Sequence, residues 1–168
     1  MAEVGYGFTT VEMIRAGAGI SRRTFYDHFA DRDAAVVAYF DRATEWLLGT
    51  IDGVAADPSV PRTGRIDAAV AAVLELVAAQ PDAARAWLTP AGRSDERLAD
   101  HRVEALAAVE RRLAAQLRAE RRRVPSAVGL ELRVGGACEV VRTRLRARDP
   151  TLDAVAPVLA FVLRQPAA

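Results

Sequence analysis

The chain has 168 residues, 51% of them hydrophobic, enough to bury a real core in one or two small domains, which excludes a disordered tail. Its 23 basic and 22 acidic residues nearly cancel, which excludes a histone-like, sequence-blind coat for nucleic acid. Every basic residue is Arg and Ala is abundant, a bias read as GC-rich coding. Ala, Leu, Val, Arg and Glu dominate while aromatics are few, so the expected fold class is all-α. The lone Cys138 forms no internal disulfide and no N-terminal signal pattern is visible, so a cytoplasmic location is expected. The longest apolar run, 154–163, is interrupted by Pro157 and falls short of the roughly 20 residues of a membrane span.

The stretch Gly5 to Arg32 predicts two short helices joined by a glycine turn and followed by a long helix. Thr9 and Glu12 have the spacing of a T-x-x-E capping box, starting a helix at Thr9 or Thr10. Val11 and Ile14 share one face of it. Gly17-Ala18-Gly19 ends it, with Gly19 as the left-handed residue. Arg15 is expected to snorkel out along the surface. Ile20 plugs the turn, Ser21 caps the next helix, and Phe25 and Phe29 face inward at i, i+4. Arg22, Arg23, Thr24, Tyr26 and His28 are left facing outward. Such a set suits a DNA groove, because Arg forks onto guanine or phosphate while hydroxyls and imidazole bond phosphate oxygens. Over residues 1–42 the six acidic residues slightly outnumber the five basic ones, so attraction to DNA rests on that local patch.

Helix, tight turn and recognition helix form a helix-turn-helix. The pattern G-Y-x-x-T-T-V-x-x-I-x-x-x-A-G-I-S-x-x-T-F-Y-x-H-F-x-D-R-D resembles the DNA-binding domain of the TetR family of bacterial transcriptional repressors. The resemblance implies that Arg22, Arg23 and Thr24 meet base edges and phosphates, that Tyr26 and His28 meet backbone phosphates, and that Arg32 grips phosphate. Thr10 and Ser21 complete the candidate DNA-binding set. The family carries a bracing helix ahead of the Gly-Tyr pair, most of which is expected to be missing here. The implied organisation is a helix-turn-helix DNA-binding domain over 1–42 with an incomplete first helix, and a helical effector-binding and dimerisation domain over 43–168.

Beyond the head, Asp31 caps a helix whose apolar series Val36, Phe40, Ala43, Leu47, Ile51 and Val54 keeps a 3.6-residue period to Ala55. Two prolines stiffen the loop 57–61. An apolar helix follows over 63–79, apolar nearly all round and expected to be central. Asp82 starts a short helix holding Trp87 and Leu88, and Thr89-Pro90-Ala91-Gly92 breaks the chain. A long helix is expected over 94–123, its Arg118–Arg123 run offsetting the macrodipole. Pro125 and Ser126 open another. Asp149-Pro150 caps the last, which Pro157 should kink, and which carries Leu152, Val155, Leu159 and Val162 at helical spacing.

In the TetR family the last two long helices pair with those of a second subunit. The resemblance therefore marks Gly135, Gly136, Leu152, Val155, Leu159 and Val162 as a candidate dimer surface, ordinary packing within the chain being the alternative. It also implies an effector pocket, with Trp46, Trp87, Leu88, His101, Leu106, Cys138 and Arg142 as candidate ligand-binding residues. Core positions for the tryptophans and a solvent-facing position for His101 remain open. Ala, Leu and Val in the lining favour a small apolar or aromatic effector, with Arg142 available to an anionic one.

No metalloprotease helix, nucleophile elbow, Cys cluster or phosphate loop occurs, so no catalytic residue, metal or cofactor is expected and the chain is not expected to be an enzyme. The expected function is a ligand-responsive repressor binding a palindromic double-stranded DNA operator as a homodimer, without membrane contact. The alternative is a TetR-like ligand-binding or interaction module that has lost DNA binding.

Overall fold

A computed structural model of the chain describes residues 9–89, 96–147 and 152–165. The incomplete first helix expected ahead of the helix-turn-helix, the 90–92 break and the Asp149-Pro150 cap are expectations that lie outside these residues. Among the described residues all regular structure is helical.

Three local devices set the helix-turn-helix. Helix α1 (Val11–Ala18) is capped by Thr10, whose hydroxyl accepts from the Met13 amide at 3.2 Å. The capping box expected at Thr9 and Glu12 does not form. Thr9 is buried, so the cap moves one residue on and the third helical position becomes Met13, which has no carboxylate to reach back. Gly19 takes the left-handed conformation at φ 65°, letting Gly19 and Ile20 donate back to Ala16 and Arg15. Ser21 then caps α2 (Arg22–His28) by accepting from the Thr24 amide at 3.0 Å. Phe25 is fully buried against Phe29, ring centroids 5.5 Å apart. Arg15 snorkels only in part: it is half-buried, and its Nε is out of solvent without a partner.

Asp31 caps α3 (Arg32–Ala56) through the Ala34 amide at 2.7 Å. At 1.5 Å per residue this helix is roughly 37 Å long. It buries Ala35, Val36 and Phe40 near its start and runs without a break past residue 42 into the body. The Asp57 side chain then accepts from both the amide and the hydroxyl of Ser59, turning the chain into a short 3₁₀ segment (Arg62–Gly64) and α4 (Arg65–Ala79).

Helix α5 (Pro81–Leu88) starts one residue before the expected Asp82, with Pro81 in the first turn, where a missing N–H costs nothing. Helix α6 (Glu96–Ala119) stops short of the expected Arg123 because Arg121 adopts φ 57°. Arg121 and Arg122 donate back to Arg118 and Leu117, the closure that glycine usually makes. Helix α7 (Ala127–Arg146) is capped by Ser126, and α8 (Leu152–Arg164) continues through Pro157.

Helix α4 packs against α3, α5, α6 and α8, which makes it central as its composition suggested. The apolar interior has two parts. One holds Val36, Phe40, Leu74, Trp87, Leu145 and Leu159, with the Phe40 and Trp87 rings stacked at 5.8 Å; the other holds Ile66, Leu113, Leu117, Leu130 and Val134.

Candidate nucleic-acid interface and ligand cavity

On α2 the polar set stands clear of the protein. Arg22, Arg23, Thr24, Tyr26 and His28 are all exposed, while Phe25 between them anchors the helix. The Arg22 guanidinium lies over the Tyr26 ring at 5.7 Å, and Tyr26 keeps 47% of its surface in solvent. The Ser21 and Thr24 hydroxyls are 2.9 Å apart, holding both at the helix start, where free N–H groups favour an anion. Thr10 is exposed, with its hydroxyl accepting from Met13.

Arg32 sits differently. It is half-buried, bound to Asp33 at 2.7 Å and donating to the Thr9 carbonyl at 3.4 Å, which ties the start of α3 to the residues ahead of α1. The adjacent carboxylate offsets much of the charge a phosphate would feel.

In the body a cavity of about 200 Å³ opens between the two halves of the interior, lined by Leu74, Trp87 and Val141 from one and Ile66, Leu113 and Val134 from the other. Helix α3 supplies Ala43, Trp46, Leu47 and Ile51 to its wall, so the helix that leaves the head also bounds the cavity. Of the sequence-derived ligand residues, Trp46, Trp87, Leu88 and Cys138 line it.

His101, Leu106 and Arg142 do not line it. His101 Nδ1 pairs with Asp41 at 2.8 Å, bridging α6 to α3. Leu106 is packed against both halves of the interior. Arg142 turns to Glu139 on its own helix, with Nε at 2.7 Å. A helix rotates about 100° per residue, which is why Val141 lines the cavity and its neighbour does not. Spacing on α6 would have found the residues missed, since Val109, Arg112, Leu113 and Gln116 recur at i, i+3, i+4, i+7.

The cavity wall is almost wholly apolar. Burial pushes the Cys138 thiol up to about 11, so it stays protonated. Trp87 is held by its indole N–H donating to Thr44 at 2.8 Å and by Arg102, which lies over the ring at 5.7 Å and donates to the Trp87 carbonyl. Burial lowers the Arg102 pKa. Arg112 donates through Nε and Nη2 to both Asp52 oxygens at 2.7 and 2.6 Å. That pairing lowers the Asp52 pKa and raises that of Arg112, the side-chain hydrogen bond being the main cause of each. Among the described residues no group of three or more His, Cys, Asp or Glu side chains is placed to hold a metal ion.

The candidate dimer surface divides. Gly135 and Gly136 are exposed on α7, and a Cβ added at either would meet nothing within 4 Å, so they serve no close approach inside the chain. Leu152, Val155 and Leu159, by contrast, are buried in the chain's own interior. The helical spacing found the inward face of α8, which α4 and α7 cover. The outward face carries Val158, Phe161 and Val162, with Val158 61% and Phe161 59% exposed. On α7 an exposed stripe continues through Val128, Leu132, Gly135, Gly136 and Val140, spaced i, i+4, i+7, i+8, i+12.

Among the described residues, head and body together define an all-helical fold with a helix-turn-helix head. Two solved structures share the fold. The fatty acid degradation regulator FadR from Bacillus halodurans aligns with a TM-score of 0.80 at 19% identity, over 99% of this chain and 93% of that one. The transcriptional regulator FadR from Bacillus subtilis, solved in complex with stearoyl-CoA, aligns with a TM-score of 0.77 at 15% identity over the same shares. Residues 1–39 match the family model described as bacterial regulatory proteins, tetR family. That match covers the helix-turn-helix whose motif from Gly5 onward resembles the same family. No curated protein matches it. Among the described residues no helix is long and apolar enough to cross a membrane.

Proposed function

We propose that this chain is a ligand-responsive repressor that binds a palindromic operator as a homodimer, with α2 in the major groove and an apolar effector in the body cavity. The observation that carries the reading is the exposed set Arg22, Thr24 and Tyr26 on a helix fixed by the Gly19 turn, the Ser21 cap and the buried Phe25. Arg22, Arg23 and Thr24 read base edges and phosphates, and Tyr26, His28, Thr10 and Ser21 bond the backbone. Arg32 contributes mainly by tying the head together.

The dimer surface is the exposed apolar stripe of α7 with Val158, Phe161 and Val162 of α8. Its self-pairing about a two-fold axis sets two heads roughly 34–36 Å apart, one turn of DNA. The division between head and body falls near residue 42, inside α3. Because α3 also walls the cavity, a ligand that repacks Trp46, Leu47 and Ile51 tilts the helix that carries the head and alters the spacing of the pair. The stearoyl-CoA bound by the Bacillus subtilis structure supports an effector with a long apolar chain, which suits this wall. The protonated Cys138 thiol and the placement of His101 outside the cavity suit binding more than catalysis.

Selection from random duplexes tests the reading. It should enrich a palindrome with half-sites one turn apart, and Arg22→Ala should weaken that complex by ~1–3 kcal/mol while leaving the fold intact. Weak, sequence-blind binding indifferent to Arg22→Ala would favour a TetR-like module that has lost DNA reading.

A further inference from the structure

Arg112 is the charged side chain in the cavity lining, and its ion-pair partner Asp52 lies just outside that lining with its side chain 54% exposed. Arg112 lines the cavity, yet the Nε–Nη2 edge of its guanidinium is taken by both oxygens of Asp52, while Nη1 donates to the Ala108 carbonyl at 3.2 Å. One turn further along α6, Gln116 lines the same wall with its amide oxygen buried and without a hydrogen-bond partner. The remaining lining side chains, apart from Gln80, the two tryptophans and Cys138, are aliphatic. We infer that Asp52 occupies a carboxylate subsite, and that the effector is a chain carboxylate whose head displaces Asp52 from Arg112 while its tail fills the apolar cavity.

Three observations favour a carboxylate. The side-on edge of Arg112 already holds two oxygens in the parallel geometry that such a group offers. Exchanging one carboxylate for another leaves Arg112 neutralised throughout, so no uncompensated charge is ever buried. Asp52 is 54% exposed at its side chain, so it moves into water at little cost. Gln116, by turning its amide over, supplies a second donor to the incoming head. The exchange has a regulatory consequence, because Asp52 is on α3 and Arg112 on α6. Each ligand bound cuts one tie between the head-bearing helix and the body, leaving the Asp41–His101 pair nearer the head.

The inference rests on the cavity being the effector site, and calorimetry with two probes of equal chain length separates the two ideas. Dodecanoate and dodecanol are titrated, below their aggregation limits, into the wild-type protein, Asp52→Asn and Arg112→Gln. Removing the competing carboxylate in Asp52→Asn should tighten dodecanoate about tenfold, and Arg112→Gln should weaken it about tenfold, with dodecanol unchanged in both. Thermal melts of all three proteins check that the fold survives. Dodecanoate and dodecanol binding alike, and indifferent to both substitutions, would overturn the carboxylate subsite and leave the cavity reading standing. Binding of neither probe to any of the three proteins would overturn both.

Discussion

Head and body are ordered by different means. In the head each element is fixed by a partner three or four residues away: Thr10 on Met13, Ser21 on Thr24, Asp31 on Ala34, with Gly19 closing α1 on Ala16. In the body the ties are long. Arg112 meets Asp52 and His101 meets Asp41 across 60 residues, and Trp87 meets Thr44 across 43. The head leaves its polar side chains outside, the body a space inside. The head is anchored on the fully buried Phe25 ring, whereas the cavity is walled by residues from α3 through α8.

The largest effect is expected at Phe25. Phe25→Ala removes the fully buried ring of the head and should cost ~3–5 kcal/mol there. Amide exchange should report loss of protection in α1 and α2, with duplex binding lost, while ligand binding by the body persists. If the body loses its ligand as well, the two regions are one cooperative unit.

Next in size is the outward face of α8. Phe161→Asp should weaken self-association by at least ~2 kcal/mol, seen by sedimentation, without loss of helix content, since Phe161 is 59% exposed. Leu159→Asp, on the buried face, should instead unfold the body.

A smaller effect sharpens the contrast between local and non-local order. Arg121 takes a left-handed conformation that glycine adopts without strain, so Arg121→Gly should stabilise the body by ~0.5–1 kcal/mol in denaturant titration and leave duplex affinity unchanged. A loss of stability would mean that the Arg121 side chain contributes more than its backbone costs.

The smallest effect is in the acid limb. The Asp52 pKa is lowered in the folded state, chiefly by its hydrogen bonds to Arg112, so its stabilisation is present above the ordinary carboxylate range and lost as pH falls through the lowered value. Because Asp52 is about half exposed, solvent screening holds this below ~1 kcal/mol. Asp52→Asn should flatten the stability curve at acid pH by that amount, and a curve unchanged by the substitution would place the pair outside the folded-state balance.

The head was legible because its signals are local. A Gly that must turn left, a Ser that must cap and a Phe pair one turn apart identify α1, the turn and α2 without reference to the rest of the chain. Even there, burial of Thr9 moved the first cap to Thr10. The body was legible as helices but not as surfaces. Helix α8 is apolar on two faces, and spacing alone selected Leu152, Val155 and Leu159, which the chain covers itself, over Val158 and Phe161, which it does not. The cavity was harder still. Trp46 and Trp87 stood out by size, whereas Arg112 and Gln116 became members of its wall only through packing against residues far away in the sequence.

Occupation of the body cavity and attachment of α2 to DNA should oppose each other through α3, which carries the head and walls the cavity. The direct measurement is reciprocal. Affinity for the selected duplex is taken by fluorescence anisotropy with and without saturating dodecanoate, and affinity for dodecanoate by calorimetry with and without duplex. Each ligand should weaken the other by the same factor, about five- to 150-fold. Duplex and dodecanoate binding side by side, with neither affinity changed, would contradict it.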